Sequence, residues 1–323
     1  MANISIYLND AASKSNSEVL TDSLLNHLYR HQLNFRSPKD LDELEENLKL
    51  DVQSDCEYIF SVGGDGTANT ILQNIQGSDI KLMVIPTGTA NDFASELGIN
   101  LNIEKIIKIF QYKSYQTVDI VKINGKYMVS NGGIGLTSNV AQKINDDRKK
   151  FKGFKGLMKL TGSKIYPLYF GKELLKPLKT YRFNIQSKDY PKLETTIEAS
   201  IVMINNQAKI GGNFLVAPNT KNDDGKFNVT ILTHTNRADL MNTTLKMYRG
   251  EVVENDPSLI SFETDKINIM SLDEELVYFG DGEILAKGQN FEIESVPNAL
   301  NVCSYDNNLI YCNSLSLENL ELM

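Results

Sequence analysis

A short β-branched and aromatic run, Tyr58-Ile59-Phe60-Ser61-Val62, leads into Gly63-Gly64-Asp65-Gly66-Thr67, and a helix-like segment holding Ile71, Leu72 and Ile75 follows. Glycines between a strand and a helix let backbone N–H groups approach a phosphate with no Cβ in the way. The helix start adds its unpaired amides and positive dipole end. Asp65 would repel phosphate on its own; it makes chemical sense if Mg²⁺ bridges carboxylate and phosphate. The alternative is a tight strand-to-helix turn with an Asp cap.

A second loop of the same kind, Pro86-Thr87-Gly88-Thr89-Ala90-Asn91-Asp92-Phe93-Ala94, follows the apolar run Lys81 to Ile85. Two such loops on neighbouring parallel strands would meet at the carboxyl edge of a sheet, where open α/β folds place ligands. Thr89 could bond a phosphate oxygen, and Asn91 or Asp92 could cap the helix or face the site. Far downstream, Gly280-Asp281-Gly282-Glu283 offers a general base and a metal-linked acid, or a plain turn. Asn222-Asp223-Asp224-Gly225-Lys226 reads as a hairpin turn or a small oxygen-ligand cation site, with the turn favoured by spacing.

These residues need elements to hold them. The first third of the chain alternates strand and helix signals, from Ile4–Leu8 and the apolar positions Leu20, Leu24 and Leu28 through to Gly98 as a helix stop, and so predicts a parallel sheet covered on both faces. After about Thr117 strand signals dominate: 118–123, 126–130, 180–186, 195–205, 227–232, 267–270, 276–279 and 291–295, with turns at Asn124-Gly125 and Asp224-Gly225. Helix-like insertions fall near 137–170 and 237–249. The expectation is a nucleotide-binding α/β domain over 1–117, with a C-terminal return over 296–323, and a mainly antiparallel β-sandwich over 118–295.

Bulk properties narrow the class. The chain of 323 residues is 41% hydrophobic and 23% charged, ordinary globular values. A net charge of −8 argues against general nucleic-acid binding. Cys56, Cys303 and Cys312 have no metal-ligand spacing and read as reduced thiols. No signal peptide or bilayer-length apolar run is visible. Yet residues 143–179 hold eleven Lys or Arg against Asp146, Asp147 and Glu173, a local excess of eight positive charges interleaved with Phe151, Phe154, Leu168, Tyr169 and Phe170. Such a segment suits an anionic membrane surface, each cation contributing about 1 kcal/mol; a helix with a solvated basic face is the plainer alternative.

Taken in order, GGDGT at 63–67 with Asn69, TGTANDFA at 87–94, Val118-Asp119, NDDGKFNV at 222–229 and DGE at 281–283 resemble the diacylglycerol-kinase catalytic family, in its bacterial soluble lipid-kinase form. The resemblance implies a fold shared with NAD kinases, and use of ATP and Mg²⁺ to phosphorylate a diacylglycerol-like lipid. It implies that Gly63, Gly64, Asp65, Gly66, Thr67, Ala68, Asn69 and Thr89 hold nucleotide, and that Asp92 lies near the acceptor hydroxyl. Asp281 or Glu283, with Glu283 preferred, would be the base. Asp65 and Asp119 would serve the active-site Mg²⁺ network, and Asp224 with the carbonyls of Lys221 and Lys226 would hold a structural Mg²⁺. A cytoplasmic enzyme, peripheral at the inner membrane face, follows, and a homodimer is open. The family's Asn-Pro-x-Ser-Gly loop is replaced by Asn9-Asp10-Ala11-Ala12-Ser13, and a frequent Glu by Thr70. Another lipid acceptor, a soluble substrate of the NAD-kinase type, and a non-catalytic binding protein are the competing readings.

Overall fold

The computed structural model describes residues 1–9, 14–88, 91–151, 154, 165–191, 196–210, 214–253 and 256–305. The chain forms two compact units, 1–118 with 298–323 and 119–297.

In the first unit, β1 (Asn3–Leu8), β2 (Gln32–Arg36), β3 (Tyr58–Gly63) and β4 (Lys81–Pro86) pair in parallel in the order β2-β1-β3-β4. Asn301 and Val302, near the end of β18 (Asn290–Cys303), add in parallel beside β4. All six residues of β3 are buried, as expected of a central strand with both faces covered. Helices α1 (Lys14–Leu28), α2 (Leu41–Gln53), α3 (Asp65–Ile75), α4 (Asp92–Glu96) and α5 (Ile103–Gln111) alternate with the strands. The Asp40 side chain caps α2 through Glu43 N–H, and the Asn102 side chain caps α5 through Lys105 N–H. Gly98, at φ +67°, follows α4 in the left-handed conformation expected of a helix stop. Burying Ile71, Leu72 and Ile75 of α3 fixes that helix to the core, at about 1.5–3 kcal/mol per side chain.

The second unit is a β-sandwich. One sheet runs β14 (Leu259–Thr264), β13 (Phe227–Leu232), β10 (Ile201–Asn205), β7 (Asn131–Gly135), β16 (Leu276–Gly280) and β17 (Glu283–Gly288), all antiparallel. The other is built from β9 (Ile197–Ala199), β8 (Tyr181–Gln186), β15 (Lys266–Ser271), the start of β18, and the hairpin of β5 (Tyr115–Ile123) and β6 (Lys126–Met128). Asn124 and Gly125 both have positive φ, as the hairpin signal requires. Between the sheets lie Ile123, Phe183, Ile269 and Phe291 from one and Ile134, Val202, Val229 and Tyr278 from the other. Helices α6 (Leu136–Lys150), α7 (Ile165–Leu174) and α8 (Arg237–Tyr248) complete the unit, with two short strands, β11 (Lys209–Ile210) and β12 (Phe214–Leu215).

Several elements differ from expectation. The strand expected over 195–205 is two, because Ser200 leaves the ladder and sends its N–H to Leu232 O. Glu283, expected in a turn, is the first residue of β17. β2, α2, α5, β7, β14 and β17 were not expected. Among the described residues, no helix is long and apolar enough to cross a membrane.

Candidate functional site

The two glycine loops of the first unit lie at the ends of β3 and β4, which pair side by side with Gly63 opposite Pro86. Their backbones pack directly together: a Cβ on Gly88 would stand 2.5 Å from Gly64 Cα, while within the first loop one on Gly63 would stand 2.6 Å from Thr67 Oγ1. Loop-to-loop packing therefore requires Gly88, in addition to any ligand.

Asp65 is the clip between the loops. Its carboxylate accepts the N–H of Asn91 at 2.9 Å and, more weakly, that of Phe93 at 3.4 Å, so it caps α4 from the first residue of α3. Burial pushes the Asp65 carboxyl above its usual range, against the opposite pull of amides at Phe93, Asp92, Asn91 and Asp65 itself. Asn91 holds the second loop's shape. It sits at φ 55°, its Oδ1 accepts Gly88 N–H at 3.1 Å and its Nδ2 donates to Gly88 O at 2.9 Å. A left-handed Asn between Thr-Gly-Thr-Ala and Asp was the available sequence signal for this clamp. Asn9 closes the first loop, donating from Nδ2 to Thr67 Oγ1 at 2.8 Å and from its backbone to Val62 O at 3.1 Å.

The start of α3 suits an anion. Its N-cap is Gly64, with no side-chain cap, and the Thr67 and Ala68 amides turn back to Gly64 O. That leaves the amides at the very start of the helix as the donors for phosphate. Ala68 and Asn69 are already helical and buried, at 2% and 5% exposure, and Asn69 accepts from Gln73. Thr70, where the family often has Glu, bonds back to Gly66 O. Asp92 is the half-buried first residue of α4. Thr89 lies outside the described residues.

In the second unit the two carboxylates of the DGE turn have separate surroundings. Asp281 is buried at 6% exposure, at φ 49°, and its carboxylate accepts Val129 N–H at 2.7 Å, Ser130 N–H at 2.9 Å and the Ser130 hydroxyl. With its oxygens engaged by these donors, Asp281 locks the turn to the loop before β7. Glu283 is exposed and has no hydrogen-bond or ion-pair partner among the described residues.

Asp119 is buried and fixes the 222–226 loop: its carboxylate accepts Gly225 N–H at 2.6 Å, and its backbone N–H donates to Asn222 O at 2.7 Å. Asp224 is exposed, and its Oδ1 accepts Lys226 N–H at 3.1 Å, closing the turn around Gly225 at φ +78°. Among the described residues no cluster of three His, Cys, Asp or Glu forms a metal cage. Asp65 and Asp119, expected in an active-site Mg²⁺ network, each accept backbone amides. Asp224, exposed and acceptor-only, in the same loop as Lys221 and Lys226, fits the oxygen-donor chemistry that Mg²⁺ takes.

The basic segment is less free than its charge suggests. Lys143 and Lys176 both pair with Glu173 at 2.8 Å, and Lys179 pairs with Glu274 at 2.5 Å. Burial alone would raise the Glu173 carboxyl; the hydrogen bonds from Lys143 and Lys176 outweigh it and hold the group below its ordinary range. Phe154 joins Val140, Ile144 and Ile165 in a small core. Lys152, Lys155, Lys159 and Lys164 lie outside the described residues.

Known proteins carry the same two-part design. Residues 4–123 match the diacylglycerol kinase catalytic domain, and residues 161–304 match the YegS C-terminal NAD kinase beta sandwich-like domain. A Staphylococcus haemolyticus protein named as a putative lipid kinase is 26% identical over 261 residues, covering 79% of each chain. One from Staphylococcus aureus strain bovine RF122, similarly named, is 28% identical over 257 residues, covering 76% of each. A crystal structure of a putative diacylglycerol kinase from Bacillus anthracis superposes with a TM-score of 0.74 at 19% identity, over 94% of this chain and 97% of that one, and so shares its fold. Motifs, fold and domain matches agree: the chain belongs to the diacylglycerol kinase catalytic-domain family, with the YegS-type β-sandwich as its second part.

Proposed function

We propose that the protein is an ATP- and Mg²⁺-dependent lipid kinase that phosphorylates a diacylglycerol-like hydroxyl. The observation that carries this reading is the pair of interlocked loops at the ends of β3 and β4, with the α3 N-terminus free of any side-chain cap beside them. Neither loop contains a Lys or Arg. The charge of the phosphates therefore falls to backbone amides and to a divalent cation, and positioning with charge neutralisation is most of what phosphoryl transfer requires.

The amides of Gly64, Asp65 and Gly66 would receive phosphate, and Thr67 would present its hydroxyl beside them. Mg²⁺, carried on the phosphates, would neutralise their charge, and a structural Mg²⁺ would sit at Asp224 with Lys221 and Lys226. Asp65 keeps the second loop, with Thr89 and Asp92, in register with the first. Glu283 takes the proton of the lipid hydroxyl, and Asp281 holds the turn that presents it. A general base contributes on the order of 10²–10⁴ in rate.

The lipid is met at a membrane surface through 143–179. The exposed stripe of α7 and the residue after it supports this: Leu168 and Leu175 are 61% and 81% exposed with Lys172 between them at helical spacing. Phe151, at the end of α6 beside Lys150, is 64% exposed. Apolar residues bordered by cations suit an anionic leaflet. Replacing Leu168 and Leu175 by Asp should weaken binding to anionic vesicles; unchanged binding would remove this part of the proposal.

The deciding experiment is transfer of labelled γ-phosphate from ATP·Mg²⁺ to diacylglycerol in anionic mixed micelles, with Glu283→Gln as control. Glu283-dependent phosphatidic acid supports the proposal. ATP binding with no transfer to diacylglycerol or to a panel of sphingoid and monoacyl lipids would overturn it.

A further inference from the structure

The six-stranded sheet of the second unit carries a row of amides on one face. Strand register sets Asn131 opposite Asn205, Asn205 opposite Asn228, and Asn228 opposite Glu263. Two residues along each strand stand Met203, Thr230 and Ser261, and two further stand Ile201, Leu232 and Leu259. The apolar end of this face packs with Leu240 and Met247 of α8. The face thus grades from hydrocarbon under α8 to amide and carboxylate at its far end.

Where α8 ends, a cavity of about 480 Å³ opens over β13 and β14, a size typical of small-molecule sites. Leu215, Val216, Met247, Val253 and Leu259 form apolar walls, and among the described residues Glu251 and Glu263 are its charged lining residues. Both are exposed; Glu251 forms a long ion pair with Arg249 at 4.0 Å, and Glu263 has no ion-pair partner among the described residues. Asn228 lines the same cavity although it is only 7% exposed. Its orientation is set by a relay: Asn205 Nδ2 donates to Thr230 Oγ1 at 3.0 Å, and the hydroxyls of Thr230 and Ser261 donate to Asn228 Oδ1 at 3.1 and 3.2 Å. The Asn228 carbonyl oxygen is therefore used, and its Nδ2 has no acceptor among the described residues.

We propose that this cavity binds a cationic amphiphile. The ammonium group would sit between Glu251 and Glu263, a hydroxyl or carbonyl oxygen would accept from Asn228 Nδ2, and the hydrocarbon would lie along Val216, Met247 and Leu259. The site belongs to the β14 edge of the sheet, whereas Glu283 belongs to β17 at the opposite edge. It is a second ligand site, and does not depend on the kinase reading.

The chain contains no Trp, so Val252→Trp places a single reporter in the cavity lining, at a position 52% exposed and tolerant of a larger ring. This variant would be titrated at neutral pH with dodecylamine and with dodecanoate, both below their micelle concentrations. The expected result is a saturable emission change with the amine at least tenfold tighter than with the carboxylate. Adding Glu251→Gln and Glu263→Gln, both surface changes, should erase that preference. No saturable change, equal affinity for the two amphiphiles, a preference that survives both Gln changes, or the same response from a Leu175→Trp reporter would each overturn the proposal.

Discussion

Replacing Asp65 by Ala tests whether this residue is chiefly a clip between loops. The change removes the acceptor for Asn91 N–H at 2.9 Å and for Phe93 N–H at 3.4 Å. The first is a good charge-assisted bond at a helix start, whose loss leaves an amide facing a void; that costs about 1–3 kcal/mol. The second is long and adds roughly 0.5–1 kcal/mol, within the range for a lost helix cap. Together they predict a loss of about 1.5–4 kcal/mol for Asp65→Ala, read from the urea unfolding of the first unit. Asp65→Asn keeps one acceptor oxygen and should lose about half as much. Kinase turnover should fall in both variants, further in Ala than in Asn, because the second loop drifts from the first. If Asp65→Ala unfolds at the wild-type urea concentration, or if Asn and Ala are equally damaging, the clip is not what Asp65 provides. The pH dependence has a definite sign. Burial raises the folded carboxyl above its unfolded value, so the folded state binds the proton more tightly. Wild type should therefore lose stability relative to Asp65→Asn as pH rises from the ordinary carboxylate range through that raised value.

The two carboxylates of the DGE turn should separate in one pair of variants. Asp281→Ala strands the amides of Val129 and Ser130 and should cost about 2–4 kcal/mol in urea unfolding of the second unit; Glu283→Gln should unfold as wild type while turnover falls on the order of 10²–10⁴. Gly88→Ala should weaken nucleotide binding at least tenfold by calorimetry, because its Cβ would meet Gly64 Cα at 2.5 Å and push the loops apart. Glu173 is held below its ordinary range by Lys143 and Lys176, so its contribution is present above the unfolded carboxylate pKa and is lost as pH falls through the lower folded value. Glu173→Gln should flatten the acid limb of the second unit's stability profile.

The parts of this fold that were legible in sequence share a physical cause. β3 and β4 are short apolar runs, and the glycine loops after them are unmistakable, because a strand buried on both faces leaves no room for polar residues. The opposite holds for β7. Asn131-Gly132-Gly133-Ile134-Gly135 has the composition of a loop, yet all five residues are buried in the sheet. A Cβ on Gly133 would lie 2.3 Å from Val202 O and one on Gly132 2.6 Å from Phe279 O, so close neighbours exclude side chains there. β2 was hidden because Gln32-Leu33-Asn34-Phe35-Arg36 is a partly exposed edge strand with polar alternation. Asp281 and Glu283, two residues apart, are indistinguishable in sequence; Val129 and Ser130, whose amides give Asp281 different surroundings from Glu283, lie some 150 positions away. Counting charge within 143–179 likewise missed Glu274, which pairs with Lys179 from 95 positions away.

The split of the first unit into 1–118 and 298–323 bears on how the chain is made. During synthesis the whole of 119–297 emerges before the last strand of that unit exists. Until Asn301 and Val302 arrive, β4 lacks the partner that pairs with Lys81 and Leu82 along its edge. The late segment also brings Tyr305, whose N–H bonds Leu97 O and whose ring receives Lys105 at 3.7 Å, and Ser304, whose N–H bonds Ser114 O. The β-sandwich is contiguous and can fold as it leaves the ribosome, whereas the glycine-loop unit must wait with a sticky edge open. Nascent chains stalled before residue 298 should therefore be the form that recruits chaperones, and a frameshift near the end should yield insoluble protein although every residue of both glycine loops is intact.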